Sequence, residues 1–256
     1  MLYSSKITLF ALRELHLPVL EPVYHALKKM GFSQLGFSAP HFIESTEDQP
    51  GEGLSEKSIL NLEQKGIPFW GKQPNELALT VTADACYDRV EGWGPVVCVG
   101  HGTISKNIFF TNSPNCRREN YASVLCVPGP WYTNCFGEEV HTNIVPTGFP
   151  KMDEIFQDFT IFKLKLFSKI NWDLKTKTIL FAPTYNIELT SFEMLFDQWE
   201  LCSSMQILIK LHGATSKVWK EKYRDLAKKH HHLHFVEDGD LVPYMKISDA
   251  MVSDHS

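Results

Sequence analysis

The chain has little of what marks several common functional classes. Its six cysteines (Cys86, Cys98, Cys116, Cys126, Cys135 and Cys202) form no Cys-x-x-Cys pair or other zinc spacing, and several lie in apolar runs. They read as reduced, mostly buried thiols rather than as a disulfide framework. No stretch approaches the ~18 uninterrupted apolar residues of a membrane-spanning helix, and no basic-then-apolar leader pattern is present, which predicts a cytoplasmic chain. Positive charge is not in excess: 25 Lys+Arg against 30 Asp+Glu give a formal charge of −5, which argues against non-specific nucleic-acid binding through the chain as a whole. The rest of the composition is that of a soluble globular protein, and 256 residues suffice for two modest domains or one large one without staples.

What is present is an alternation of strand-like and helix-like segments, the pattern of parallel sheets covered by helices. Strands are expected at 6–12, 34–38, 77–81, 95–99 and 123–127, with helices at 19–30 and 55–65. The texture changes at Thr147-Gly148-Phe149-Pro150-Lys151-Met152-Asp153, where two punctuators precede an amphipathic run over 155–170. A domain boundary is placed there, giving units of 1–150 and 151–256. The second series has strands at 176–182, 206–211, 232–236 and 250–253, and helices at 191–202 and 216–229. The last helix carries six basic residues, with Val218, Trp219, Tyr223 and Leu226 as its apolar stripe. Core packing with a solvated face is the preferred reading of it, and an anionic membrane surface or polymer the minority one.

Chemistry-bearing residues collect at the predicted strand ends. Pro95-Val96-Val97-Cys98-Val99-Gly100 reads as a buried strand delivering His101-Gly102-Thr103-Ile104-Ser105-Lys106, a histidine that can take a proton near pH 7 beside groups suited to a closely approaching phosphate. In the second half, Lys210-Leu211-His212-Gly213 repeats the arrangement after Ile207-Leu208-Ile209. Ala182-Pro183-Thr184-Tyr185-Asn186 precedes a predicted helix whose N-terminus would favour phosphate. Asp249 to Ser256 brackets a strand with acids and hydroxyls, placing Asp254 and Ser256 at the edge that carries His212. The run His230-His231-His232 with His234 is set aside as a metal site, because strand alternation splits it.

Taken in order, these segments resemble the CDP-glycerol glycerophosphotransferase family, the bacterial enzymes that build teichoic-acid-type and related capsular polymers. The residues that carry the resemblance are His101 to Lys106, Gly148-Phe149-Pro150-Lys151-Met152-Asp153, Ala182 to Asn186, Lys210-Leu211-His212 and Asp249 to Ser256. Three positions depart from the family pattern: Ile104 stands for proline, Asn186 for arginine and His255 for tyrosine. The resemblance implies an α/β, GT-B-like architecture of two Rossmann-like parallel-sheet domains facing across a cleft. The first would be the acceptor side and the second a donor-binding domain that is cut short relative to the family.

It also implies roles. His101 would be the general base on the acceptor hydroxyl, and His212 would contact the donor pyrophosphate or assist the leaving CMP. Gly102, Thr103, Lys106, Thr184, Lys210, Asp254 and Ser256 would serve phosphate binding, with no metal and no cofactor required. The expected partners are CDP-glycerol or a similar donor and a polymer or lipid-linked acceptor, with peripheral contact at the inner membrane face and no nucleic acid. Two alternatives stand beside this reading: a GT-B glycosyltransferase or epimerase using a UDP-sugar, and a catalytically impaired fragment acting as a binding module.

Overall fold

The computed structural model describes residues 5–44, 51–72, 74, 77–102, 114–185, 188–237 and 240–254. The chain divides into two units, Met1–Asp153 and Glu154–Ser256. Unit 1 carries β1 (Ile7–Phe10), α1 (Leu17–Lys29), β2 (Leu35–Ser38), α2 (Glu56–Gln64), β3 (Leu79–Thr82), β4 (Val96–Cys98), the single turn α3 (Pro114–Arg117), β5 (Val124–Val127) and β6 (Asn143–Pro146). Unit 2 carries α4 (Thr160–Lys169), β7 (Thr178–Phe181), β8 (Gln206–Ile209), α5 (Lys217–Lys229), β9 (Leu233–Phe235), α6 (Val242–Ile247) and β10 (Ala250–Val252). Among the described residues no helix is long and apolar enough to cross a membrane.

Each unit is built on a parallel sheet, in the order β2-β1-β3-β4-β5-β6 for unit 1 and β10-β7-β8-β9 for unit 2. Such sheets are covered on both faces, so their strands read as nearly continuous apolar runs whose alternate residues feed different cores. In β1, Ile7 and Leu9 join a core with Leu20, Phe37 and Val81, while Phe10 joins the opposite core with Trp93, Val96 and Leu125. In β8, Ile207 and Ile209 pack with Phe181 and Tyr223, while Leu208 packs with Leu180, Val236 and Ile247 on the other face. The Thr8 hydroxyl, buried in β1, is satisfied by Ser38 Oγ at 2.7 Å.

Several expectations from the sequence need correction. No α-helix forms over 191–202; turns lead instead into a 3₁₀ segment, Phe196–Leu201. The amphipathic run over 155–170 is helical only from Thr160, preceded by a 3₁₀ segment, Pro150–Phe156. The strand β6 and the short helix α6, which opens with a proline in its first turn, carry no strong periodic signal and were not expected. Val218 is exposed, so the buried stripe of α5 runs through Tyr223 and Leu226 with Trp219 packed alongside. The six cysteines are free, with Cys86, Cys98 and Cys116 buried and the other three half-buried.

Gly36, inside β2, lies against the indole of Trp70 so closely that a Cβ there would overlap the ring. Gly36→Ala is therefore expected to destabilise unit 1 by about 1–3 kcal/mol, the range of core overpacking. Gly129→Ala, at extended backbone with open space around it, is expected to change stability by less than about 0.5 kcal/mol. Denaturant unfolding of the two variants checks both values.

Candidate functional site

In a parallel sheet every strand ends at the same edge, and where the strand order reverses, the connections on either side lead away and leave a crevice. In unit 1 that reversal falls between β1 and β3. The turn Glu14–His16 after β1 supplies His16, the loop after β3 supplies Asp84, and β4, next in the sheet, leads to His101 through Gly100. Gly100 has φ +66, a left-handed conformation that glycine adopts without strain and that turns the chain at the strand exit.

His101 Nδ1 lies 3.0 Å from the Ala83 carbonyl oxygen. A carbonyl only accepts, so Nδ1 carries the proton of the neutral ring and Nε2 presents its lone pair. The Asp84 carboxylate lies 3.9 Å from that same Nδ1 and 3.8 Å from His16 Nε2, placed to attract the positive charge that the His101 ring gains on taking a proton. His16 is fully buried and stacks on His101, with centroids 5.4 Å apart and planes 29° apart. Burial, reinforced by His101, pushes His16 down to about 4, so it stays neutral near pH 7. His16, Asp84 and His101 are also the group among the described residues whose ligating atoms converge closely enough for an ion.

The neighbouring thiols do not compete for the role of nucleophile. Burial raises the thiols of Cys86 and Cys98, the latter to about 12, which keeps both protonated. Burial also raises Glu119, whose carboxyl accepts the Tyr87 hydroxyl at 2.6 Å.

The reversal in unit 2 falls between β7 and β10. Thr184 follows β7, Asp254 follows β10, and the two are joined across the reversal. The Asp254 carboxylate accepts the Thr184 amide at 2.7 Å through Oδ1. Through Oδ2 it accepts the Ser191 amide at 2.7 Å, the Ser191 hydroxyl at 2.8 Å and the Thr190 hydroxyl at 3.3 Å. Burial alone would raise its pKa; these donors outweigh burial and hold the carboxyl below the usual carboxylate range. Lys210 and His212 follow β8. His212 is exposed, lies 4.8 Å from the Tyr185 ring between centroids, and accepts the Ala214 amide at Nδ1 at 3.0 Å. Its neutral ring therefore carries the proton on Nε2, as a donor.

Residues 103–256 match the profile of the CDP-glycerol:poly(glycerophosphate) glycerophosphotransferase family. The chain belongs to that family. No curated protein matches it by sequence. Among solved structures it is similar to a variant of the wall teichoic acid polymerase TagF, with TM-score 0.64 and 14% identity, covering 99% of this chain and 66% of that one. It is similar to the UDP-bound MnaA of S. aureus, with TM-score 0.61 and 15% identity over 97% of this chain and 73% of that one. It is also similar to the UDP-GlcNAc 2-epimerase of Neisseria meningitidis bound to UDP-GlcNAc, with TM-score 0.56 and 13% identity over 97% of this chain and 77% of that one. The chain thus spans slightly less than two thirds of the TagF length. These likenesses establish the fold, a GT-B-type pair of parallel-sheet α/β units of which the second is the smaller.

Of the positions that carry the glycerophosphotransferase resemblance, Thr103, Ile104, Ser105, Lys106, Asn186, His255 and Ser256 lie outside the described residues. Gly102 is exposed beside His101, and Thr184 is buried. Among the described residues no α-helix begins between Thr184 and β8, where the sequence led one to be expected. The amides of Thr184 and Ser191 are occupied by Asp254 rather than left for an anion. In the histidine run, His232 is buried and bonded to the Trp199 carbonyl at 3.0 Å, with the rings of His230 and His231 5.7 and 5.6 Å from its ring, and only His234 lies in β9. The expectation that no metal is required rested on the absence of an Asp-x-Asp segment, which is incorrect, since Asp238-Gly239-Asp240 is one. Its first two residues lie outside the described ones, and Asp240 accepts the Val242 amide at the start of α6.

His16 and Asp84 were missed as well, being far from His101 in sequence. The signal that could have found Asp84 is the one that found His101, a polar residue just beyond an apolar strand.

Asp254→Asn is expected to destabilise unit 2 by about 1.5–3 kcal/mol at pH 7, the worth of hydrogen bonds to a charged group. Because the folded pKa is depressed, the contribution is complete above the unfolded value near 3.9 and is lost as pH falls through the folded one. Wild-type unfolding should therefore steepen below about pH 4, whereas in the variant that acid-linked loss should be smaller. Urea midpoints measured across pH test this.

Proposed function

We propose that the chain transfers glycerol phosphate, or a related polyol phosphate, from a CDP-activated donor to the hydroxyl of a polymer or lipid-linked primer, releasing CMP. Family membership supports the transferase class, and the observation that carries the mechanism is the fixed tautomer of His101. The acceptor hydroxyl gives its proton to His101 Nε2 while its oxygen attacks the donor phosphorus that bears the polyol. The phosphoanhydride bond to CMP breaks, and the electron pair leaves with CMP. Asp84 faces the imidazolium so formed. Phosphoryl transfer of this kind asks the protein for positioning, charge neutralisation and a base rather than a covalent intermediate.

His212 would donate from Nε2 to the donor pyrophosphate or the departing CMP, consistent with its Nδ1 already accepting from Ala214. Gly102, Thr103 and Lys106 would form the phosphate-tolerant loop after His101, and Thr184, Lys210 and Ser256 would hold donor phosphates. Asp254 would act on the donor indirectly, by tying the loop after β7 to the turn at Ser191. The work would take place in the cytoplasm, with peripheral contact at the inner membrane face to reach a lipid-linked acceptor.

CMP release from CDP-glycerol in the presence of acceptor is the measurement. His101→Ala is expected to lower kcat by about 10²–10⁴, the usual worth of a general base, with the fold intact by circular dichroism. Turnover of a UDP-sugar with none of CDP-glycerol would replace this reading with the sugar-nucleotide one. Calorimetric binding of CMP without any turnover would instead leave a binding module.

A further inference from the structure

The crevice of unit 1 holds a buried imidazole that the transfer chemistry leaves unused. His16 Nδ1 and Nε2 are both buried and neither has a hydrogen-bond partner among the described residues, a state that is costly for a buried polar group and calls for an explanation. His16, Asp84 and His101 each bring one ligating atom within 4.8 Å of the others. They come from the ends of β1, β3 and β4, three strands adjacent in the sheet. Two imidazole nitrogens and one carboxylate oxygen are the donor set of zinc-class ions, and three protein ligands leave a fourth position open.

Ligand bonds of 2.0–2.1 Å at tetrahedral angles put neighbouring ligand atoms ~3.3 Å apart; here Asp84 Oδ2 lies 3.8 Å from His16 Nε2, its Oδ1 lies 3.9 Å from His101 Nδ1, and the three ligating atoms fall within 4.8 Å of one another, so the gaps close by up to about 1.5 Å on binding. His101 is 44% exposed, which gives an ion a way in from solvent.

We infer that His16, Asp84 and His101 form a three-ligand site for a divalent transition ion of the zinc class, and that the ion acts as a reversible brake on the base. The His101 nitrogen facing Asp84 is Nδ1, which donates to the Ala83 carbonyl when no ion is bound. To bind the ion, Nδ1 gives its proton to solvent and Nε2 takes one up, so the ring is neutral before and after. Nε2 is then an N–H, and the lone pair that would receive the acceptor's proton is gone. The brake rests on the transferase reading; the ion site does not.

The test uses the full chain and Co²⁺ as the visible probe. The expected result is a saturable one-to-one absorption of tetrahedral type, displaced by Zn²⁺ and weakened more than about 100-fold in His16→Phe and in Asp84→Asn, since loss of a direct ligand exceeds the effect of an outer one. His16→Phe keeps a stacked ring under His101, and Asp84→Asn alters a partly exposed position, so one variant reports if the other fails to fold. Long-range proton–nitrogen spectra should show the His101 proton move from Nδ1 to Nε2 on adding Zn²⁺.

The site is overturned by the absence of a saturable band, by a band unchanged in the two variants, or by a band abolished through His230→Ala with His231→Ala. A His101 proton that stays on Nδ1 at saturation overturns the tautomer switch. In the activity arm, Zn²⁺ should suppress CMP release and a chelator restore it; release that persists at saturating Zn²⁺ overturns the brake. A chain that turns over no donor in metal-free buffer defeats the transferase reading, while the spectra still decide the ion site.

Discussion

Parallel pairing is the constraint on which the rest of the structure depends. It sends every strand end of a unit to a single edge, and it makes each connection cross the sheet, which covers both faces and buries the strands between them. Polar chemistry is thereby driven to the strand ends, and the reversal of strand order selects among those ends. In unit 1 the reversal lies between β1 and β3, and His16, Asp84 and His101 gather beside it. In unit 2 it lies between β7 and β10, and Thr184 and Asp254 meet across it.

The two reversals are furnished differently. Unit 1 gathers titratable rings around one carboxylate and leaves both nitrogens of its buried ring without hydrogen-bond partners among the described residues. Unit 2 surrounds its carboxylate with donors, so that Asp254 is fully engaged in holding two loops. The two histidines that follow strands are set as opposite tautomers by simple backbone means. A carbonyl fixes the proton on Nδ1 of His101, and an amide fixes the lone pair on Nδ1 of His212. One Nε2 can accept a proton and the other can donate one.

Much of the fold was legible because strands buried on both faces write themselves as short apolar runs. Ile207-Leu208-Ile209 and Val96-Val97-Cys98 were read correctly from that signal, and the histidines beyond them followed. The segment 191–202 misled because Phe192, Leu195, Phe196 and Trp199 are apolar at helix-like spacing. Their side chains do enter a core with Phe181 and Tyr223, yet the chain proceeds by turns into a 3₁₀ segment. Sequence pattern records burial there without fixing the backbone that achieves it. His16 and Asp84 were illegible for a related reason: what makes them a group is strand order, which no local spacing encodes.

The bond from Asp254 to Thr184 joins residues 70 apart in the chain, and the β7–β10 pairing beside it is similarly long in range. Loop closure of that length must be met before the contact returns anything, which places such pairings late in folding. The loop bearing Thr184 is thus organised by one of the longest-range contacts of its unit. Asp254 reaches Thr184 because β10 is paired with β7, so the geometry of that loop is tied to the far end of the unit's sequence rather than to its neighbours in the chain.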